Sequence, residues 1–220
     1  MAYAFKKTRG IDIKTPFPIY AYDDVMDKYG SDKPDLRNPL VIENISDLVK
    51  DSKFKVFSSA VASEGQVRGI KVENGADLSR KQISELEDLA KKHGAKGLAT
   101  IALTPDGIKS PIAKFLSKNE IDDIFSNINM IEGDIFLMVA DKSKVVSESL
   151  GELRKQLGKQ FELIRKDEWQ FLWVTKFPLF EYNEEMDRFD AMHNIVTSPV
   201  EDNIPLLDQG FGAEEDFSDP

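Results

Sequence analysis

The stretch "DIFLMVADKSKVVSESLGELRKQLG" (residues 134–158) places a short apolar run directly before an amphipathic segment. Its apolar part, 135–140, is only six residues long and follows Asp134, so the run 134–140 predicts a buried strand. After Asp141 the apolar side chains return at helical spacing, and Gly158 supplies a stop signal. The buried side of this helix is predicted to carry Val145, Leu150, Leu153 and Leu157.

Two further helices carry start signals in the sequence. In "ADLSRKQISELEDLAKKHG" (76–94), Ser79 is followed three residues later by Gln82, the pattern of a capping box, and Gly94 ends the helix. In "SKNEIDDIFSNI" (117–128), Ser117 and Glu120 repeat the device. Three helices with their own caps are therefore predicted in the middle of the chain.

Other apolar runs alternate with these helices. The runs "FKVF" (54–57), "VRGIKV" (67–72) and "GLATIAL" (97–103) have the length and composition of strands, as does 134–140. The sequence predicts an α+β fold, with helices packed on a small mixed sheet. A strong buried strand is also predicted in "EWQFLWVTKFPLFEY" (168–182).

Composition excludes several classes of protein. With 41% hydrophobic and 31% charged residues, the chain is typical of a soluble globular protein. Its apolar runs fall far short of the ~20 residues of a membrane span. Without cysteine there is no disulfide, zinc–thiolate site or cysteine nucleophile, which fits the cytoplasm. The net charge of −10 arises almost entirely in the last fifty residues, and no basic face for nucleic acid stands out.

Few residues point to chemistry. No phosphate-binding glycine loop and no Ser–His–Asp arrangement is present, and the chain has only two histidines. His93 ends a predicted helix, where it interacts favourably with the helix dipole. Lys91, Lys92 and Lys96 form a local basic cluster that is best interpreted as a solvated helix end. The composition of "YGSDKPDLR" (29–37) indicates a polar turn, and His193 lies in "AMHNIVTSP".

Several long stretches nevertheless resemble one family. "TPFPIYAYDDVMDKYGSDKPDLRNP" (15–39), "ADKSKVVSESLGELRKQLG" (140–158) and "EWQFLWVTKFPLFEYNEEMDRFDAMHNIVTSP" (168–199) closely resemble bacterial-type aspartyl-tRNA synthetase, in the same order. In that class II family an inserted GAD domain interrupts the catalytic domain. The resemblance implies a GAD domain at residues 41–167. It also implies partial catalytic-domain segments at 1–40 and 168–220, the latter ending in a mobile acidic tail.

The resemblance also shows which family parts this sequence lacks. The anticodon-binding OB fold, the F-R-D-E of the second class II motif and the G-G-G-x-x-R of the third have no counterpart. The chain is therefore interpreted as an internal fragment that is inactive alone, with no catalytic residue, cofactor or metal of its own. The parent enzyme uses ATP and magnesium, and its partners are L-aspartate and tRNA. Whether it charges tRNA-Asp alone or also tRNA-Asn stays open, because the anticodon-reading part is missing.

The fragment is expected to be monomeric, with at most weak tRNA binding and no membrane association. Two alternatives remain: a stand-alone GAD-fold module that binds tRNA or a protein, and a regulatory paralogue of the synthetase.

The family also suggests site residues. His193 matches the first of a histidine pair that holds the substrate aspartate, and Asn194 stands where many members have the second histidine. The stretch "SDKPDLR" is a family signature near the active-site side. Its polar residues have no individually assigned contacts; they are Ser31, Asp32, Lys33, Asp35 and Arg37.

Overall fold

The structure is a computed structural model that describes residues 1–183, 186–192, 201 and 204–207. Its chain divides into two units. The larger unit is Val25–Gln170, and the smaller unit combines Met1–Asp24 with Phe171–Pro220. The boundary falls within helix α2 (Tyr22–Tyr29), after Asp24. None of the helices in the described ranges is long and apolar enough to cross a membrane.

The larger unit contains one five-stranded sheet. Its strands are β2 (Ile42–Asn44), β3 (Gln66–Val72), β4 (Ala99–Thr104), β5 (Gly107–Lys109) and β6 (Ile135–Asp141). They lie in the order β2-β3-β6-β4-β5, and every neighbouring pair is antiparallel. The α+β class is thus confirmed, but the prediction of a mixed sheet is wrong.

The reason lies in the position of β6. Strands β3 and β4 are joined through helix α5 (Arg80–Lys92) and run in the same direction, because both are antiparallel to β6. A strand–helix–strand alternation favours parallel neighbours. Here β6, which comes later in the chain, lies between the two strands, so the parallel pair is split.

Helices cover both faces of this sheet. They are α3 (Ser46–Val49), α4 (Lys55–Ala62), α5, α6 (Lys118–Asn127) and α7 (Ser143–Gln160), with a 3₁₀ turn at Ala113–Phe115. Successive side chains of β6 point to opposite faces. Ile135, Leu137 and Val139 join the core cluster of α5 and α7, whereas Phe136 and Met138 join the core cluster of α3, α4 and α6. The unbroken apolar run at 135–140 is therefore explained by burial on both faces.

The predicted helix starts are confirmed. Ser79 and Gln82 form a complete capping box at α5, and Ser117 and Glu120 form another at α6. Helix α7 continues beyond the predicted stop at Gly158 to Gln160. Gly158 is therefore not a stop signal: a glycine is needed within the helix because the side chain of Asn38 packs where a Cβ would be.

One other local prediction is wrong. The run "FKVF" is not a strand, since residues 55–57 begin helix α4 and Phe54 is its N-cap. Phe57 and Val61, four residues apart, both contact the core on the face of a helix. On α7 the predicted buried side is confirmed, since Leu150, Leu153 and Leu157 are fully buried and the half-buried Val145 packs against the same core; Val146, also fully buried, adds to it.

The smaller unit has short elements. It contains helix α1 (Ala2–Arg9), strands β1 (Ile19–Ala21) and β7 (Trp173–Thr175), the hairpin strands β8 (Phe180–Asn183) and β9 (Arg188–Ala191), and helix α8 (Ile204–Leu207). Strands β1 and β7 form a parallel pair. The ring of Phe171 packs against the rings of Phe5 and Phe17, with centroids 5.3 Å apart in each pair.

The prediction of a single buried strand at 168–182 is wrong. The segment contains two short strands, β7 and β8, in different sheets. Between them, Lys176 has a φ of 55°, and Pro178 has no N–H to donate to a strand pair. Trp173 on β7 is 61% exposed.

Candidate functional site

The signature segment forms a polar turn directly after helix α2. Gly30 has a φ of 64° and donates its N–H to the carbonyl of Met26. The next residues bond to one another: Ser31 Oγ accepts from the backbone N–H of Lys33 at 3.1 Å, and Lys33 Nζ pairs with Asp32 at 2.8 Å. The side chain of Lys33 is 85% exposed.

Asp35 and Arg37 are joined by three hydrogen bonds. The Asp35 carboxylate accepts from the backbone N–H of Arg37 at 3.0 Å, from Nε at 2.9 Å and from Nη2 at 2.8 Å. The hydrogen bond from the Arg37 side chain holds the pKa of Asp35 below its ordinary value, against the opposing effect of burial. The same bond raises the pKa of Arg37.

The backbone of the segment is bound by an arginine from helix α7. Arg154 Nε donates to the carbonyl of Leu40 at 2.6 Å, and its Nη2 donates to the carbonyls of Asn38 at 2.7 Å and Asp35 at 3.0 Å. The guanidinium lies over the ring of Tyr29, 4.8 Å from its centroid. Arg154 is 2% exposed, and burial lowers its pKa. An arginine nevertheless stays protonated, so its buried charge is stabilised by the carbonyl dipoles and by the face of the Tyr29 ring.

Asn38 returns a bond to the same helix. Its Nδ2 donates to the carbonyl of Arg154 at 2.8 Å, and its Oδ1 accepts from the N–H of Leu40 at 3.1 Å. Asn38 is itself buried. The side chain of Asn38 thus fixes the turn and attaches it to α7.

A second buried arginine holds the end of α2. Arg68 on β3 pairs with Asp27 at 2.7 Å, and it also donates to Ser143 Oγ at 3.0 Å and Ser147 Oγ at 3.3 Å. Burial lowers the pKa of Arg68, and the Asp27 carboxylate opposes the shift. Because Asp27 lies in the same unit as β3 and α7, the segment 25–40 is structurally part of the larger unit.

The predicted site residues are only partly brought together. Asp35 contacts Arg37, and Lys33 contacts Ser31 and Asp32, all within the signature. His193 and Asn194 lie outside the described residues. Sequence reasoning missed Arg154, although a charged residue beside Leu150, Leu153 and Leu157 on a buried helical stripe was an available signal.

Other candidate residues have structural positions. His93 is the C-cap of α5, as its predicted place at a helix end requires. Lys91 pairs with Glu87 at 2.7 Å, and Lys96 pairs with Asp141 at 3.2 Å. In the part of the chain that the structure describes, no group of three His, Asp or Glu side chains is placed to hold a metal ion.

Comparison with known proteins relates part of the larger unit to a known domain. Residues 57–150 match the family model of the GAD domain. The chain is 49% identical over 212 residues to an aspartate–tRNA ligase of Clostridium botulinum (strain Kyoto / Type A2). The matched residues cover 96% of this chain and 36% of that relative. It is 48% identical over 200 residues to an aspartate–tRNA(Asp/Asn) ligase of Natranaerobius thermophilus, covering 91% of this chain and 34% of that protein. The chain therefore spans about a third of the length of the curated relatives it matches.

Proposed function

We propose that this chain, a GAD-domain-containing segment of the aspartate–tRNA ligase family, is part of an enzyme that activates L-aspartate with ATP and transfers it to tRNA. The observation that carries the proposal is 49% identity over 96% of the chain. This match extends well beyond residues 57–150, so it includes the residues on both sides of the GAD domain.

The two units suggest a division of roles. The larger unit has its own sheet and two core clusters, and it corresponds to the GAD domain together with the signature segment. The smaller unit has short strands with exposed apolar side chains, such as Ile19 at 68% and Trp173 at 61%. A pair of three-residue strands is too small to be stable alone. This supports its interpretation as part of a class II catalytic domain whose remaining strands come from elsewhere in the enzyme.

The chemistry of the reaction belongs to the whole enzyme. ATP and magnesium would be bound by class II motifs that lie outside this chain, in the cytoplasm where tRNA is charged. Within this chain, His193 is proposed to contact the carboxylate of the substrate aspartate, with Asn194 beside it. An imidazole that donates to a carboxylate forms a charge-assisted hydrogen bond when protonated.

A chimeric enzyme tests the function. The residues of the N. thermophilus ligase that match this chain are replaced by this chain, and aspartylation of tRNA-Asp is measured. The chimera is expected to charge tRNA with aspartate. A chimera that is folded and binds ATP but leaves the tRNA uncharged would contradict the proposal.

Two histidine variants of the chimera test the site. His193→Ala is expected to raise the KM for aspartate by about 10- to 100-fold, the loss of one hydrogen bond to a charged group, with little change in the KM for ATP. His93→Ala is the matched control, because His93 caps α5 in the GAD domain, and it should leave both constants unchanged.

A second candidate function is a GAD-fold binding module for tRNA or a protein. The larger unit favours it, because this unit has the features of a domain that folds on its own. Helices α5 and α6 have complete capping boxes, and the core clusters lie within Val25–Gln170. Titration of this chain into labelled tRNA-Asp distinguishes the two. Micromolar binding without aspartylation by the chimera would favour the module, or a regulatory paralogue of the synthetase.

A further inference from the structure

We propose that Arg154 is the positioning residue of the signature segment. Through it, helix α7 of the GAD domain sets the backbone of residues 35–40 and so orients the Asp35–Arg37 pair. The GAD domain would then serve as a template for a neighbouring segment, in addition to any ligand of its own. Arg154 and residues 35–40 lie in one unit of this chain, so their contact can be measured independently of the synthetase function.

The first support is the direction of the hydrogen bonds. One guanidinium donates to three carbonyls, at Asp35, Asn38 and Leu40, all within 3.0 Å. Carbonyls in a buried turn need partners, and a turn of this length cannot supply all of them itself. Because the guanidinium is planar and rigid, three bonds to it fix the relative positions of the three carbonyls.

The second support is the cost of the arrangement. Arg154 lies on the same helical stripe as Leu150, Leu153 and Leu157, which are all fully buried. A charge at such a position is expensive unless it is well bonded. An apolar side chain would fill the space, so packing alone does not explain the arginine.

The third support is the shape of the helix around Arg154. Gly151 and Gly158 lie seven residues, or about two turns, apart on the same face, and they leave room for Gly30 and Asn38 on either side of the signature. A Cβ on Gly151 would collide with the backbone of Gly30, and one on Gly158 would collide with the side chain of Asn38. This face of α7 therefore has two small residues that let Gly30 and Asn38 approach, and between them Arg154 donates to the backbone carbonyls of residues 35–40.

Amide hydrogen exchange on the full chain tests the proposal. In Arg154→Lys the charge is kept, but a single nitrogen replaces the two that donate. The amides of Arg37, Asn38 and Leu40, which are hydrogen-bonded in the wild type, should exchange about 10- to 100-fold faster. The amides of β3 and β6 should keep their rates. Arg165→Lys is the matched control, since Arg165 is exposed and pairs only locally with Glu168.

A second measurement separates positioning from simple packing. The Asp35 pKa is followed by NMR in the wild type and in Arg154→Lys, and it should rise in the variant towards the ordinary aspartate value as the Arg37 bond loosens. If Arg154→Lys does not fold, Gly158→Ala keeps the arginine while displacing Asn38, and it should give the same local pattern. Unchanged exchange at residues 37–40, or an equal increase throughout β3 and β6, would overturn the proposal. Activity of the chimera has no bearing on these results, so failure of the proposed function would be recognised separately.

Discussion

Gly30 and Gly151 pack backbone against backbone. A Cβ on Gly30 would lie 2.7 Å from the Cα of Gly151, closer than real Cβ atoms approach. Gly30 also needs a left-handed conformation, with a φ of 64°. Gly30 directly precedes the signature and Gly151 lies in helix α7, so two distant parts of the sequence are fitted to each other at this contact.

The close contact predicts that Gly151→Ala is destabilising. Replacing glycine by alanine within a helix normally stabilises a protein by up to about 1 kcal/mol. Here the added methyl would force the two backbones apart, and such overpacking typically costs about 1–3 kcal/mol. Urea unfolding should therefore show a lower free energy of unfolding. Gly97→Ala is the control, because the nearest atom to its Cβ is 3.7 Å away. A gain in stability for Gly151→Ala would contradict the packing described.

The capping box of α6 predicts a measurable loss in Ser117→Ala. Ser117 Oγ accepts from the N–H of Glu120, and the Glu120 carboxylate accepts from the N–H of Ser117. Removing the hydroxyl should lower the free energy of unfolding by about 1 kcal/mol. Ser126→Ala, at an exposed position in the same helix, should have almost no effect. Equal effects of the two variants would mean that the box does not contribute.

The Asp35–Arg37 pair predicts a dependence of stability on pH. The pKa of Asp35 is lowered in the folded state. Its contribution is therefore fully present above the unfolded pKa, about 3.9, and is lost as pH falls through the folded value. The stability advantage of the wild type over Asp35→Asn should shrink below about pH 4. A difference between the two proteins that stays constant from pH 7 to pH 3 would show that the carboxylate charge is not involved.

The buried arginines predict where a protease-resistant core begins. Arg68 pairs with Asp27 and Arg154 donates to the carbonyl of Leu40, so residues 27–40 are bonded to the rest of the larger unit. Limited proteolysis should therefore leave a core that starts near Val25. In Arg154→Lys, cleavage between Gly30 and Leu40 should become faster. A wild-type core that starts near residue 41 would instead support the domain limits of 41–167 expected from sequence.

Local signals made much of the larger unit predictable. Ser79 and Ser117 cap their helices through residues three positions away, so the pattern is visible in the sequence. The run 135–140 indicated a buried strand because it is apolar on both faces. The insertion of β6 between β3 and β4 was not predictable, since it depends on strand pairing between distant parts of the chain. The helix at "FKVF" was missed because a four-residue run with three apolar side chains fits either structure, and the packing of Phe57 and Val61 against the core decides between them.

The site was less predictable than the fold. Composition alone indicated a polar turn at 29–37, and the bonds among Ser31, Asp32 and Lys33 agree with it. Only the family resemblance singled out the segment as a signature. The position of Arg154 on a buried helical stripe was a signal in the sequence, but the segment it binds could not be predicted, because the acceptors are backbone carbonyls, which do not depend on residue type.

Aspartate-dependent exchange of pyrophosphate into ATP, measured side by side on this chain and on the chimera, is the decisive test of the proposed function. In that proposal the chain is one segment of an aspartate–tRNA ligase and depends on the rest of the enzyme for ATP. No exchange above a protein-free blank is expected for the chain, and clear exchange is expected for the chimera. Aspartate-dependent exchange by the purified chain alone, or its absence from a folded chimera, would contradict it.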